Sequence, residues 1–117
     1  LKKGIQVLGS HILILGITFK ENCPDVRNTK VVDIIRALRE YNVNVTIYDP
    51  WANPGAVKRE YGLDIETELP ANRYEAIVLA VAHEKFRDIR IGERKAENAV
   101  VYDVKNMLPH ELSDGRL

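Results

Sequence analysis

The chain has 117 residues, of which 45% are apolar and 29% charged, a size and composition typical of one globular domain. Its 17 basic and 17 acidic residues cancel, which argues against a nucleic-acid-binding or anionic-membrane surface but leaves room for a local basic site. The sequence shows no apolar run long enough to span a membrane and no secretory signal, and its single cysteine rules out an internal disulfide. We therefore expect a cytoplasmic protein without membrane or nucleic-acid partners.

The first half of the chain alternates predicted strands and helices. Residues 11–16 form an almost wholly apolar run, typical of a strand covered on both faces. Residues 29–41 follow as an amphipathic helix with Asn28 or Thr29 as its N-cap. The apolar stripe of this helix is formed by Val31, Ile34, Ile35 and Leu38.

The pattern continues through the second half. Residues 43–48 are a β-branched strand, and residues 54–61 a short helix with proline at its start and Gly62 beyond its end. Residues 76–81 and 99–102 are the third and fourth strands, and residues 108–117 an irregular tail. Strands alternating with helices predict an α/β fold, a Rossmann-like three-layer α/β/α sandwich with a mostly parallel sheet, spanning residues 1–117 as a single domain.

Ligands of such a sheet bind beyond the carboxyl ends of its strands. The loop after the first strand has no G-x-G-x-x-G motif and carries Phe19, Lys20, Asp25 and Arg27 instead. Lys105 follows the fourth strand and would lie at the same edge. A lysine is a point charge and an arginine a bidentate fork, so cations converging here suit a diphosphate.

Less specific interpretations of the basic loop stay open beside this one. Lys20 alone is most simply a solvated lysine, and Asp25 could serve only to pair with Arg27 and fix its direction. Cys23 lacks a neighbouring base in the sequence, and Pro24 indicates a loop, so we interpret this cysteine as incidental.

Three residues after the second and third strands have competing roles. Asp49 stands where a Rossmann acid would bind a ribose, but without the glycine motif a turn residue before Pro50 is favoured. Trp51 is either a core residue or a base-stacking platform, with the core favoured. For His83 a structural role is favoured over ligand contact. The spacing of His, Cys, Asp and Glu predicts no metal site.

The chain resembles the C-terminal domain of the UDP-glucose/GDP-mannose dehydrogenase family. The pattern G-x-x-F-K-x-x-x-x-D-x-R, from Gly16 to Arg27, is that domain's signature. Y-D-P at residues 48–50, A-x-x-H-x-x-F around His83 and V-Y-D-V-K ending at Lys105 fit as well. The variant E-N-C-P-D-x-R-N-T resembles the branch that oxidises UDP-N-acetylhexosamines for bacterial surface polysaccharides.

This resemblance implies a function. Members of the family oxidise the sugar C6 alcohol to a carboxylate in two NAD-dependent steps through a cysteine-bound intermediate. They combine an N-terminal NAD-binding domain, a central helical dimerisation domain and this C-terminal domain for UDP. By the resemblance, Lys20 and Lys105 bind the UDP-sugar, and Arg27 reaches NAD. We expect Phe19 to bind the UDP-sugar as well, by packing beside the nucleotide. The nucleophilic cysteine lies outside this region, so Cys23 is not catalytic.

The sequence thus predicts the UDP-binding domain of a nucleotide-sugar 6-dehydrogenase, inactive alone and without catalytic residues of its own. The chain begins with Leu1 rather than Met, which is compatible with a fragment that lacks the NAD-binding and central domains. The full enzyme would be a homodimer. Two rivals are a freestanding regulatory or interaction module and a stand-alone NAD-binding domain. The absent glycine motif counts against the second rival.

Overall fold

The computed structural model describes residues 9–105, 107–108 and 110–116. Within these residues, five strands and two α-helices form the framework: β1 (His11–Leu15), α1 (Val31–Arg39), β2 (Asn44–Tyr48), α2 (Pro54–Tyr61), β3 (Tyr74–Leu79), β4 (Lys95–Asp103) and β5 (Gly115–Arg116). Three short 3-10 helices complete it, at Glu84–Asp88, Ile91–Arg94 and His110–Leu112.

All five strands are parallel, in the order β2-β1-β3-β4-β5. Leu15 lies opposite both Tyr48 and Leu79, and Leu79 lies opposite Asp103, so four carboxyl ends are level across the sheet. The chain runs outward from β1 to β2 and then crosses back to β3, which places the topological switch point between β1 and β3. The predicted Rossmann-like parallel sheet is confirmed.

Side chains of β1 alternate between two apolar clusters, one on each face of the sheet. Ile12 and Ile14 belong to the cluster that includes both α-helices, whereas Leu13 and Leu15 belong to the opposite cluster. The second face is covered by the 3-10 segments through buried Phe86 and Ile91. A strand buried on both faces needs apolar residues at every position, which explains its continuous hydrophobic run.

The predicted start and apolar stripe of α1 need correction. The N-cap is Lys30 without a side-chain cap bond, not Asn28 or Thr29, although Thr29 Oγ1 accepts a hydrogen bond from the Val31 N–H at 3.3 Å. Val31 and Ile35 are buried and Leu38 is partly buried, as predicted, but Ile34 is 38% exposed, and Val32, which the predicted stripe did not include, is buried. Helical periodicity predicts the spacing of the buried residues. Which face of the helix they occupy depends on how the helix packs against the sheet.

The second predicted helix is confirmed in detail. Asn53 Oδ1 accepts from the Ala56 N–H at 3.0 Å, Pro54 occupies the first turn, and Gly62 ends the helix at φ +70°. The prediction of an irregular tail is wrong in part, because β5 lies within that segment and extends the sheet. Positions 109 and 117 of that tail lie outside the described residues.

Candidate functional site

The loops after β1 and β3 meet at the carboxyl edge of the sheet. Gly16 has φ +98°, and a Cβ at this position would lie 2.6 Å from Val81 Cβ. Both its left-handed backbone and this close approach require glycine. The Gly16 N–H donates to Tyr48 O at 2.9 Å, which also ties the β1 loop to the end of β2.

Asp49, the residue after β2, holds three loops together. Its side chain is fully buried. The two carboxylate oxygens have five hydrogen-bond partners at 2.7–3.2 Å, namely the backbone N–H groups of Ile17, Thr18, Trp51 and Ala52 and the ring Nε2 of His83. The bonds to residues 51 and 52 confirm Asp49 as a turn residue. The other three extend its role to the β1 and β3 loops.

His83 continues this network into the β1 loop. Its Nδ1 accepts a hydrogen bond from the Asn22 N–H at 2.8 Å, so in the neutral ring Nε2 carries the proton. Nε2 lies 3.0 Å from Asp49 Oδ2 and 3.0 Å from Thr18 Oγ1. The Thr18 hydroxyl in turn donates to Lys20 O at 2.9 Å. His83 is fully buried, which confirms the structural interpretation.

The electrostatics of this network favour a charged Asp49. Burial alone would raise the pKa of the carboxyl, because desolvation disfavours its charged form. The hydrogen bonds from His83 and from the N–H groups of Ile17 and Trp51 outweigh that effect and hold the pKa of Asp49 below its ordinary value. Asp49 is therefore an anion at neutral pH that organises the donors around it.

The tip of the β1 loop is braced on both sides and remains exposed. The Phe19 N–H donates to Asp25 O at 2.7 Å, which closes the loop on itself. Asn22, at φ +53°, accepts from the Glu84 N–H through Oδ1 at 2.9 Å. With its backbone fixed in this way, the loop presents Phe19, 58% exposed, and the exposed Lys20 to the surroundings.

Arg27 forms the predicted pair with Asp25. Its Nε donates to Asp25 Oδ1 at 3.0 Å and its Nη2 donates to Oδ2 at 3.2 Å. The fork lowers the pKa of Asp25 through these hydrogen bonds and raises the pKa of Arg27. The Arg27 side chain stays 78% exposed, so Asp25 fixes the direction of a guanidinium that still faces solvent.

Lys105 stands on the loop after β4, where buried Asp103 has a role similar to that of Asp49. Asp103 Oδ1 accepts from the Lys105 N–H at 3.1 Å, and Oδ2 accepts from the Leu108 N–H at 2.7 Å. The Lys105 side chain is exposed. It lies at the same edge of the sheet as the β1 loop, but it follows β4, which is separated from β1 by β3.

The core assignment of Trp51 is wrong. The side chain is 44% exposed because its backbone N–H is held in the turn that Asp49 forms at the outer edge of the sheet. Its ring centroid lies 6.4 Å from that of His83. An exposed aromatic surface thus lies above the buried histidine, which leaves the base-stacking alternative for Trp51.

The edge therefore combines two exposed aromatic rings and several cations over a buried polar framework. Sequence reasoning named Phe19, Lys20 and the other cations of this edge, but it favoured the core for Trp51 and did not foresee that Asp49 and His83 bond to each other. Their positions could have indicated this contact, because Asp49 follows β2 and His83 follows β3, the two strands that flank β1. Among the described residues, no group of three His, Cys, Asp or Glu side chains could hold a metal ion, and no helix is long and apolar enough to cross a membrane.

Comparisons with solved structures agree with the fold. A UDP-glucose dehydrogenase from the hyperthermophilic archaeon Pyrobaculum islandicum matches with a TM-score of 0.72 and 23% identity over 93% of this chain and 25% of the other. A UDP-D-ManNAc dehydrogenase from Pyrococcus horikoshii matches with a TM-score of 0.72 and 21% identity over 98% and 27%. At these identities the likeness shows the fold alone.

Sequence comparison shows the family. UDP-N-acetyl-D-glucosamine 6-dehydrogenases of Salmonella typhi and Pseudomonas aeruginosa are 45% and 46% identical to this chain over its whole length. The chain spans 28% of the length of each relative. The sequence model for the UDP-binding domain of the UDP-glucose/GDP-mannose dehydrogenase family matches residues 13–110. The chain belongs to the UDP-glucose/GDP-mannose dehydrogenase family and contains its UDP-binding domain.

Proposed function

We propose that the carboxyl edge binds the UDP part of a UDP-sugar, with Phe19 and Lys20 as its main contacts. The observation that carries the proposal is an exposed aromatic–lysine pair on a loop whose backbone is fixed by the buried Asp49–His83 pair. Binding to a loop that is already fixed costs less conformational entropy than ordering a mobile one. More of the interaction energy of Lys20 with the ligand therefore appears as affinity.

The chemistry of the exposed residues fits a nucleoside diphosphate. The Lys20 ammonium would neutralise diphosphate charge, and the Phe19 ring would pack beside the nucleotide. Lys105, from the loop after β4, would add a second cation. Trp51 offers a further aromatic surface of the kind on which nucleobases stack. Binding energy gained here would hold the distant sugar C6 in register for reaction elsewhere, a positioning role.

We infer that the full-length protein is an NAD-dependent UDP-sugar 6-dehydrogenase of surface polysaccharide synthesis, in which residues 1–117 are the C-terminal domain. The relatives from Salmonella typhi and Pseudomonas aeruginosa are both named as 6-dehydrogenases. The chain itself lacks a glycine motif for the NAD pyrophosphate. We therefore assign NAD mainly to another domain and expect this domain to be inactive alone.

Arg27 fits an accessory contact to that cofactor. Asp25 uses the Nε and Nη2 of the guanidinium, so Nη1 is the nitrogen left over from that pair. An exposed guanidinium with a fixed direction can donate to an anionic group carried by a neighbouring domain. NAD, when bound, accepts the hydride, and Arg27 would only bind and orient it.

The assembled enzyme is expected to be a cytoplasmic homodimer. The lone Cys23 is compatible with a reducing compartment. The rival function, a freestanding regulatory module, is not favoured, because the relatives identical at 45–46% over the whole chain are named as enzymes.

Lys20→Ala in the full-length protein tests this proposal. Loss of a hydrogen bond to a charged group removes about 1.5–3 kcal/mol, so the Kd for the UDP-sugar should rise about 10- to 150-fold by calorimetry. Lys58→Ala is the matched control, because Lys58 is exposed on α2 and pairs with Asp64 at 3.2 Å. Equal affinities of the two variants would remove Lys20 from the site.

A further inference from the structure

Two hydrogen bonds to the ring of His83 bracket Lys20 in the β1 loop. Nε2 lies 3.0 Å from Thr18 Oγ1, two residues before Lys20, and Nδ1 accepts from the N–H of Asn22, two residues after it. His83 is fully buried, and Thr18 is only 1% exposed. Residues 18–22 therefore wrap around one buried imidazole, with the exposed Lys20 at the middle of the segment.

The roles of the Thr18 hydroxyl follow from its two partners. A hydroxyl has one proton, and Thr18 donates it to the Lys20 carbonyl oxygen at 2.9 Å. Thr18 Oγ1 therefore accepts from the Nε2–H of His83, and it shares that proton with Asp49 Oδ2, which lies 3.0 Å from the same nitrogen. A chain of hydrogen bonds thus runs from the buried Asp49–His83 pair to the main chain of Lys20.

The bond from Thr18 acts on the position of Lys20 more than on the stability of the fold. In the part of the chain that the structure describes, no other hydrogen bond holds the Lys20 main chain, and no carboxylate forms an ion pair with its ammonium. Because Lys20 is exposed, its carbonyl can bond to water when Thr18 is absent, so the net contribution of this bond to folding is small. Its main consequence is a fixed backbone beneath an unpaired lysine.

We propose that Thr18 is a positioning residue of the UDP site, whose hydroxyl fixes the Lys20 main chain and so directs the ammonium toward the diphosphate. The inference rests on the proposed function, because it takes Lys20 as the contact to the diphosphate. Thr18 itself is buried and does not touch the ligand. Without its hydroxyl, the Lys20 backbone would have to be ordered when the ligand binds. Ordering the backbone of one residue lowers affinity by a factor of about 5 to 30.

Thr18→Val in the full-length protein tests this inference, with the Kd for UDP measured by calorimetry. Valine keeps the β-branched shape of threonine but has no hydroxyl. The variant should fold, because the Nε2–H of His83 keeps Asp49 as its acceptor and the Lys20 carbonyl can bond to water. We expect the Kd for UDP to rise about 5- to 30-fold, while the midpoint of urea unfolding changes little.

Three further variants separate positioning from a general loosening of the loop. Thr18→Ser keeps the hydroxyl, so its Kd for UDP should stay within about threefold of the native value. Tyr61→Phe removes another hydroxyl that donates to this loop, at the Val26 carbonyl. That bond lies beside Arg27 rather than Lys20, so the Kd for UDP should change by less than about twofold. In the Lys20→Ala background, Thr18→Val should cause no further loss, because its effect acts through Lys20.

Three results would overturn the proposal. Native affinity in Thr18→Val would show that Lys20 needs no hydroxyl to hold it. An equal loss in Thr18→Ser or in Tyr61→Phe would indicate a general loosening of the loop. An undiminished loss in the Lys20→Ala background would show that Thr18 does not act through Lys20. The proposed function is decided separately by Lys20→Ala alone, since an unchanged Kd for UDP there would remove the UDP contact itself, whereas native affinity in Thr18→Val beside a loss in Lys20→Ala would refute only the positioning role.

Discussion

Replacing Asp49 with asparagine removes one charge from the buried framework without changing its volume. The carboxylate oxygens receive at least two hydrogen bonds each, on opposite sides of the side chain. An asparagine keeps one oxygen and turns an NH₂ group toward the other side, where at least two backbone N–H donors lose their acceptor. Each unsatisfied donor costs about 1–3 kcal/mol, so we expect Asp49→Asn to lower the free energy of unfolding by about 2–6 kcal/mol.

Urea unfolding followed by far-UV circular dichroism would measure this loss, with Asp64→Asn as the control. Asp64 is 85% exposed and pairs with Lys58, so its replacement should change stability by less than about 1 kcal/mol. The expected loss at Asp49 is a large fraction of the roughly 5–15 kcal/mol that stabilises a typical domain. A loss at Asp49 no larger than that of the control would refute the claim that this carboxylate holds the three loops.

Two further predictions concern the charged groups of the site. The pKa of Asp49 is lowered in the folded state, so the contribution of its charge to stability is complete above the unfolded pKa of about 3.9 and disappears as pH falls through the lower folded pKa. The difference in unfolding free energy between the native chain and Asp49→Asn, measured by urea titration, should therefore shrink below about pH 4. A difference that does not depend on pH would contradict this. Arg27→Ala in the full-length protein should raise the KM for NAD about tenfold while the affinity for UDP-sugar changes little, and an effect confined to the UDP-sugar would disprove our division of roles.

The order of elements was predictable because it depends on local patterns. The apolar runs of β1 and β3, the Pro54 and Gly62 signals around α2, and the basic loop after β1 all appear in short windows of sequence. Placing Lys20 and Lys105 at one edge then required only the rule that the ends of parallel strands are level, which the strand register bears out.

The features that sequence reasoning missed depend on contacts between distant residues. Trp51 is exposed because Asp49 anchors its backbone, and Asp49 is anchored by His83, 34 positions away. β5 has only two residues and is defined by its pairing with Tyr102 and Asp103. It is too short to show the alternating pattern from which a strand is predicted. Such contacts decide which surface a side chain faces, and no local window contains them.

The structure separates residues that shape the site from residues that would touch the ligand. Asp49 and His83 are fully buried, so substitutions there should act on the β1 loop as a whole. Phe19 and Lys20 are exposed and make up little of the core, so substitutions there should change binding with little effect on stability. Comparing stability with affinity for each variant would distinguish the two classes.

The most direct test of the central claim is a titration of the chain with UDP, UDP-N-acetylglucosamine and NAD, followed by amide chemical shifts. We predict that both UDP ligands shift the amides of residues 19–27 and Lys105, and that NAD at equal concentration causes much smaller shifts. Shifts centred outside the carboxyl edge, or a stronger response to NAD than to UDP, would contradict the assignment of this edge as a UDP site.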